Sequence, residues 1–386
     1  MLASAFIVRG APQVIVKPAT TPSDSNHAQR KTCSAEQFRD HRFCVAPMMD
    51  WTDRHDRHFL RGLSKNALLY TEMVTSAALI HGDSEALLLH SADEYPVALQ
   101  LGGSDPSQLQ AAAKLGQDAG FCEINLNVGC PSERVQSGAF GACLMAEPAL
   151  VGQCIDAMKQ VVDVPVTVKC RIGIDDRDSE AELHDFIGTV AASGCELFIV
   201  HARKAILSGL SPKQNREIPP LNYERVYGVK KAFPHLGVII NGGLTDLTTA
   251  AAQLDFVDGV MLGREAYQNP FILAGVDSLF FGAATSSLTR SEALERYLPY
   301  VEEQLALGTP LQHISRHLLG LFKGVHGGKQ FRRHLSENAY KKGSGIEILN
   351  EAMLLAQPLG DAPTTQMNSR CDEQERNPSN AVQGVL

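Results

Sequence analysis

Asn125-Leu126-Asn127-Val128-Gly129-Cys130-Pro131 brings a thiol, two side-chain amides, a flexible Gly and a rigid Pro to the end of an apolar run that begins at Glu123. An apolar run that stops at polar residues and a turn sets reactive groups at the rim of a core. Pro131 fixes its own φ and biases Cys130 toward an extended conformation, so the thiol is expected in one geometry on a loop. A free cysteine can equally serve as a small buried hydrophobe, and this stretch alone fits both uses.

Other apolar runs end in the same manner. Their ends read Ala46-Pro47-Met48-Met49-Asp50, Gln100-Leu101-Gly102-Gly103, Lys169-Cys170-Arg171, His201-Ala202-Arg203-Lys204, Asn241-Gly242-Gly243 and Gly263-Arg264. Adjacent glycines let backbone N–H groups approach an anion, and Arg264 adds a bidentate partner, which suits phosphate; turn glycines beside a surface Arg are the plainer alternative. Lys169 is a cation on an apolar strand and needs an anionic or strongly accepting partner. The N1–C2=O edge of a reduced flavin would serve, and so would a Schiff base with a phosphorylated substrate. The Gln100 amide both donates and accepts, as the pyrimidine edge of a flavin requires, and His201 could do the same or bind phosphate. No acidic pair and no His cluster with metal spacing accompanies these residues, so no metal is expected.

The elements that must carry these ends alternate regularly. Apolar runs occupy Phe43–Pro47, Ala67–Glu72, Val97–Leu101, Glu123–Asn127, Val166–Cys170, Leu197–His201, Val238–Asn241 and Gly259–Leu262. Amphipathic stretches lie between most of them: Pro106–Ala119, Leu150–Val162, Ser179–Ala192, Asn222–Phe233 and Thr245–Leu254. Continuous apolar strands alternating with helices predict a parallel sheet covered on both faces. Eight such units predict an α/β fold, a (β/α)8 TIM barrel, whose active site lies at the C-terminal strand ends. An open doubly wound sheet should show G-x-G-x-x-G after an early strand, and the sequence has none there.

Beyond Leu288 the strand pattern gives way to helices expected at Ser291–Ala306, Leu311–Lys323, from about Arg333, and near Ile346–Ala356. The predicted organisation is an N-terminal extension (1–38), a barrel (39–287), a small all-helical domain (288–356) and a polar, disordered tail (357–386). The helical piece carries Arg316, Lys323, Lys329, Arg332, Arg333, Lys341 and Lys342, with only Glu337 opposing. Such a run suits a phosphate backbone or is a solvated helix face.

Composition narrows the class. The chain of 386 residues has a net charge of -8, so any nucleic-acid surface must be a local basic patch. Its nine cysteines are scattered without a C-x-x-C pair, which argues against zinc and a disulfide framework and fits a reducing compartment. No apolar run approaches the roughly 18–20 residues that span a membrane. Residues 1–36 have no Glu before Glu36 and several Ser and Thr; they fit a disordered extension or an organelle transit peptide. The expected location is the cytoplasm, or a mitochondrion or plastid if the segment is a transit peptide.

Together these segments resemble the tRNA-dihydrouridine synthases, and within them the bacterial A-type. The resemblance runs from about residue 40 to 356 and rests on Ala46–Asp53, Gln100–Gly103, Asn125–Ser132, Phe140–Met145, Val168–Gly173, His201–Lys204, Gly209–Arg216, Asn241–Gly243, Gly263-Arg264 and Leu335–Asn338. It implies an FMN-bound barrel, a helical C-terminal domain, NADPH as reductant and tRNA as substrate, with no membrane, metal or obligate protein partner. By position it implies that FMN meets Pro47, Met48, Met49, Gln100, Lys169, His201, Asn241, Gly242, Gly243, Gly263 and Arg264. Cys130 would be the general acid, and Asn127, Lys213, Arg216, Lys329 and Arg332 would contact tRNA. Ile206, where the family pattern has a large aromatic, and Lys329-Gln330, where it has Ala-Arg, depart from that pattern.

The implied chemistry is hydride addition to C6 of a uracil in the D-loop, at positions 20 and 20a, with Cys130 protonating C5 from the opposite face. A thiol is mostly protonated near neutrality yet gives up its proton readily. Lys169 would stabilise negative charge on the flavin ring. The rivals are a flavin dehydrogenase of free pyrimidines, which would not need Lys213, Arg216 or the basic helices, a non-catalytic RNA-binding barrel, and an aldolase using Lys169.

Overall fold

Each apolar run is too short to bury itself and must pair, and in the computed structural model, which describes residues 41–356, the runs pair with one another in sequence order. The strands are β1 (Phe43–Val45), β2 (Leu68–Thr75), β3 (Val97–Gly102), β4 (Glu123–Val128), β5 (Val166–Arg171), β6 (Leu197–His201), β7 (Gly237–Asn241) and β8 (Gly259–Leu262). All are parallel, and β8 closes on β1 through Phe43–Val260, Cys44–Met261 and Val45–Leu262. This is the expected (β/α)8 barrel. The expectations for residues 1–36 and for the tail from 357 lie outside the described residues.

The helices between strands start and stop where local chemistry dictates. Pro106–Ala119 begins with Pro at its first position and the Asp105 carboxylate accepting from Gln108 N, and it ends at Gly120 in the left-handed region. Glu180–Ala192 and Arg290–Ala306 each open on a reciprocal capping box, Ser179 with Glu182 and Thr289 with Glu292.

Several elements differ in extent from the sequence-based expectation. Strand β2 runs three residues further, to Thr75, because a register shift between Tyr70 and Met73 re-aims its second half to pair with Gln100–Gly102. Across the shift the Thr71 hydroxyl accepts from Gln100 N at 3.0 Å and replaces a ladder bond. The helix expected over Leu311–Lys323 stops at Ser315, continues as a 3-10 turn over Arg316–Leu318, and then becomes turns. There the chain lies against the barrel, where a side chain at Gly320 would lie 2.5 Å from Gln268 O, and it is tied to the Arg290–Ala306 helix through Leu321 O, which accepts from Arg290 Nε at 3.0 Å. The helix expected from Arg333 begins earlier, at Gly328. Gly327 has φ +75°, and side chains at Gly327 and Gly328 would strike Leu355 O and Phe322 O, so only glycine allows the start.

The C-terminal helices pack on the first barrel helix, Arg54–Leu63. Tyr297 donates to His55 O at 2.9 Å, Tyr300 hydroxyl meets His55 Nδ1 at 2.7 Å, and Tyr300 stacks on His58. Arg316 and His317 both bind the Asp53 carboxylate. No helix among the described residues is long and apolar enough to cross a membrane.

Candidate active site at the barrel mouth

Strand parity delivers the site. On β4 the polar residues Glu123, Asn125 and Asn127 alternate with Ile124, Leu126 and Val128, and a parallel strand covered on both faces sends alternate side chains into the barrel. Thr167, Lys169 and Arg171 do the same on β5, and pairing sets Asn127 beside Lys169 and Arg171 beside His201. His201 in turn pairs with Asn241, and Asn241 with Met261.

The loop after β4 is held by side chains as well as backbone. Asn127 Oδ1 accepts from Gly129 N at 3.1 Å and from Cys130 N at 3.0 Å, while Cys130 O accepts from Ala142 N. The half-buried thiol lies 3.6 Å from Ser132 Oγ. Arg171, almost fully buried, donates to Gly129 O at 2.8 Å, Lys204 O at 3.1 Å and Asn215 O at 3.2 Å, joining the loops after β4 and β6. Burial first, and its cationic neighbours after, lower its pKa to about 10, so the guanidinium stays charged at neutral pH.

Two residues before Arg171 on β5, Lys169 Nζ donates to Asn241 Oδ1 at 3.1 Å, and Asn241 Nδ2 donates to Met261 O at 2.8 Å. Burial pushes the Lys169 ammonium down to about 8, with Arg171 adding repulsion. Burial and then the charges of Arg171, Lys169, Arg203 and Arg216 hold His201 well below its usual range, so its imidazole is neutral. Cys130 lies within electrostatic reach of Lys169, Arg171 and Arg216. Gly242 and Gly243 have φ of +115° and +72°, and a side chain at Gly242 would lie 2.6 Å from His201 Cδ2, so both positions demand glycine.

The other expected site residues fall in different places. Gln100 is 1 % exposed, with its amide engaged at both ends: Nε2 donates to Asn125 Oδ1 and Oε1 accepts from Asn127 Nδ2, each at 2.8 Å. Pro47 is half-buried, and Met48 N donates to Thr52 Oγ1 at 3.0 Å. Met49 is exposed. Gly263 shows no steric demand for glycine, a side chain there meeting Ala46 and Met48 at ordinary distance. Arg264 donates to Glu217 at 3.0 Å. Lys213 and Arg216 are exposed on either side of buried Asn215. In the helical part, Lys329 and Arg332 are exposed one turn apart on the Gly328–Asn338 helix.

Two sequence-based expectations need correction or addition. The basic run is not opposed by Glu337 alone: Arg316 pairs with Asp53, Lys323 with Glu265, and Arg333 with Glu337. Sequence reasoning misses Asn215 as a structural residue. Its Nδ2 donates to Ile206 O and Leu210 O, and its Oδ1 accepts from Ile206 N at 2.7 Å. A lone Asn between Lys213-Gln214 and Arg216 gives no sequence signal of that role. It also misses Glu123 and Thr167, and it sets Asn125 at the rim where the structure buries that residue within β4, although polar residues at every second position of an otherwise apolar strand are a legible signal.

A barrel mouth with a thiol on one loop and a cluster of cations around a neutral imidazole is the mouth of a (β/α)8 enzyme, with a charge distribution suited to an anion. The chain belongs to the dihydrouridine synthase family, whose family model matches residues 44–357. It is 58% identical over 313 residues to the tRNA-dihydrouridine(20/20a) synthase of Shewanella oneidensis, covering 81% of this chain and 93% of that protein. It is 59% identical over 315 residues to the Escherichia coli protein of the same name, covering 81% of this chain and 91% of that one. Among solved structures, morphinone reductase matches with a TM-score of 0.43 and 14% identity over 65% of this chain and 88% of that one. No group of three or more His, Cys, Asp or Glu among the described residues is placed to hold a metal.

Proposed function

We propose that this protein reduces the C5–C6 bond of D-loop uridines in tRNA, at positions 20 and 20a, with FMN as bound cofactor, NADPH as reductant and Cys130 as proton donor. The observation that carries the proposal is the placement of Cys130, Lys169, His201 and Asn241 around one barrel mouth in a chain of this family.

The mouth suits a flavin mononucleotide. Lys169, Arg171, Arg203 and Arg216 crowd one imidazole, an arrangement that an anionic ligand relieves. Lys169 and Asn241 would face the pyrimidine edge, Gln100 would offer its second Nε2 hydrogen from below, and Pro47, Met48 and Met49 would border the ring. His201, Gly242, Gly243, Gly263 and Arg264 would hold the ribityl phosphate, Arg264 leaving Glu217 to do so. Reduced flavin, when bound, supplies the hydride that C6 of the pyrimidine receives. Lys169 would disperse negative charge at that edge. Cys130 gives its thiol proton to C5 and regains one from water. The hydrogen bond that Asn127 Oδ1 accepts from Cys130 N holds that amide, and with it the Cα–Cβ bond that carries the thiol, in one direction.

The target base must leave its stack, which costs a few kcal/mol and is cheapest in a loop. Residues 39–287 would form the catalytic barrel, and residues 288–356 a tRNA-binding domain. Lys213 and Arg216 would meet the RNA beside the mouth, Lys329 and Arg332 would meet its backbone, and Asn127 would touch the flipped base.

The test is incubation of purified protein with unmodified tRNA transcript and NADPH, with dihydrouridine mapped by mass spectrometry. Reduction at positions 20 and 20a is expected. C130A should keep FMN and NADPH oxidation while product formation falls about 10²–10⁴-fold, the usual contribution of a general acid. Turnover of free uracil with none of tRNA would replace the proposal with a small-molecule dehydrogenase.

A further inference from the structure

The barrel interior holds a line of polar side chains whose lower members, Glu123, Thr167 and Asn125, have no part in the proposed reaction. At its base Glu123, fully buried, accepts from Tyr70 hydroxyl at 2.7 Å and Thr167 hydroxyl at 2.6 Å, and its second oxygen meets His41 Nε2 at 2.5 Å. Thr167 Oγ1 accepts from Asn125 Nδ2, Asn125 Oδ1 from Gln100 Nε2, and Gln100 Oε1 from Asn127 Nδ2, each at 2.8 Å. The line ends where Asn127 Oδ1 accepts from Gly129 N and Cys130 N.

Every bond in this line runs the same way, with the donor on the Cys130 side and the acceptor on the Glu123 side. An amide or a hydroxyl can donate or accept, so the three amides and Thr167 could stand in either orientation. An ionised carboxylate only accepts. It forces Thr167 to donate downward, and each link then fixes the next. At the far end only the oxygen of Asn127 can cap two backbone N–H groups; its nitrogen would face them donor to donor.

We propose that Glu123 is a positioning residue whose carboxylate sets the direction of the Thr167–Asn125–Gln100–Asn127 line and thereby holds the Cys130 loop in its capped conformation. It acts at a distance through four side chains and touches neither substrate nor cofactor. The proposal concerns loop geometry and is read without catalysis, so its failure is distinct from failure of the assigned reaction.

E123Q lets the line reverse, because Gln can donate to Thr167. The expected result is faster deuterium exchange at the Gly129 and Cys130 amides, measured by mass spectrometry on peptides spanning 126–132, beyond any change at the barrel strands. N127D supplies an acceptor to those amides whichever way the line runs. On its own it sets an acceptor against Gln100 Oε1 and should be destabilised. In E123Q/N127D the reversed Gln100 would present its nitrogen to the introduced carboxylate, and exchange at Gly129 and Cys130 should return toward that of the wild type. A residue needed only for packing would give uniform exchange and no such rescue.

T167V removes the link beside the carboxylate with little change in volume and decides the matter should E123Q not fold; it too should expose the two amides. Unchanged protection of Gly129 and Cys130 in T167V, or failure of N127D to rescue a folded E123Q, would overturn the proposal.

Discussion

Lys169 shows how burial sets the working range of a single side chain. Its ammonium is pushed down to about 8 by burial, with Asn241 Oδ1 as its hydrogen-bond acceptor. A ligand that offers this ammonium a hydrogen-bond acceptor, as the N1–C2=O edge of a flavin would, favours the protonated form and raises that value. The sign follows from linkage: the ligand binds best where Lys169 is already protonated, below about pH 8, and affinity falls as pH rises from there toward the raised value of the complex. FMN titrations followed by flavin fluorescence should show a plateau below about pH 8 and then a loss of up to tenfold per pH unit. K169M should bind more weakly and remove the slope. A pH-independent wild-type affinity over that range would separate Lys169 from the flavin. His201, held neutral by burial and then by the surrounding cations, contributes no titration near neutrality.

The loops that carry the chemistry are ordered by buried polar residues on neighbouring elements. Arg171 reaches from β5 to Gly129, Lys204 and Asn215, and Asn215 closes the segment from Ile206 to Ser211 on itself. This brings Lys213 and Arg216 to a fixed place beside the mouth, although they lie some forty residues from the Arg171 that anchors them. N215A leaves the Ile206 backbone groups and Leu210 O without partners and is expected to cost about 2–3 kcal/mol. Limited proteolysis should then cut within 205–216 while FMN content is retained, and tRNA affinity should fall. Retained affinity with a digested loop would show that Lys213 and Arg216 do not meet the RNA from this segment. Ile206, which departs from the family pattern, is half-buried, and its backbone N–H and C=O are the groups that Asn215 binds. The structure gives no reason for Ile in place of an aromatic.

For the whole molecule, a net charge of -8 makes the placement of cations decisive. The helical part joins the barrel through Asp53, whose carboxylate caps the Arg54–Leu63 helix and binds Arg316 and His317. Arg316 and Lys323 are therefore committed to acids of the barrel, and Arg333 to Glu337. Lys329 and Arg332 are exposed and have no acidic partner among the described residues. K329A and R332A should each weaken tRNA binding and make the plot of log affinity against log salt shallower by about 1. R333A should change the slope less, since its charge is already offset. Equal slopes for all three and the wild type, by filter binding or fluorescence anisotropy, would remove the helical part from the interface.

The barrel was legible because its cause is local: eight apolar runs with amphipathic stretches between most of them leave a parallel closed sheet as the economical arrangement, and all eight strands lie where the runs are. The residues at the strand ends were legible for the same reason, since strand ends share one rim. What tertiary structure decided was the partner of each polar side chain. Gln100 is locked between two asparagines, Arg316 belongs to Asp53, and the helix expected over Leu311–Lys323 breaks at Ser315 to bring Gly320 against Gln268. Those outcomes depend on groups that are distant along the chain and adjacent only after the barrel closes. Hydrogen bonds and ion pairs act over a few ångströms in space, and the order of residues does not record that distance.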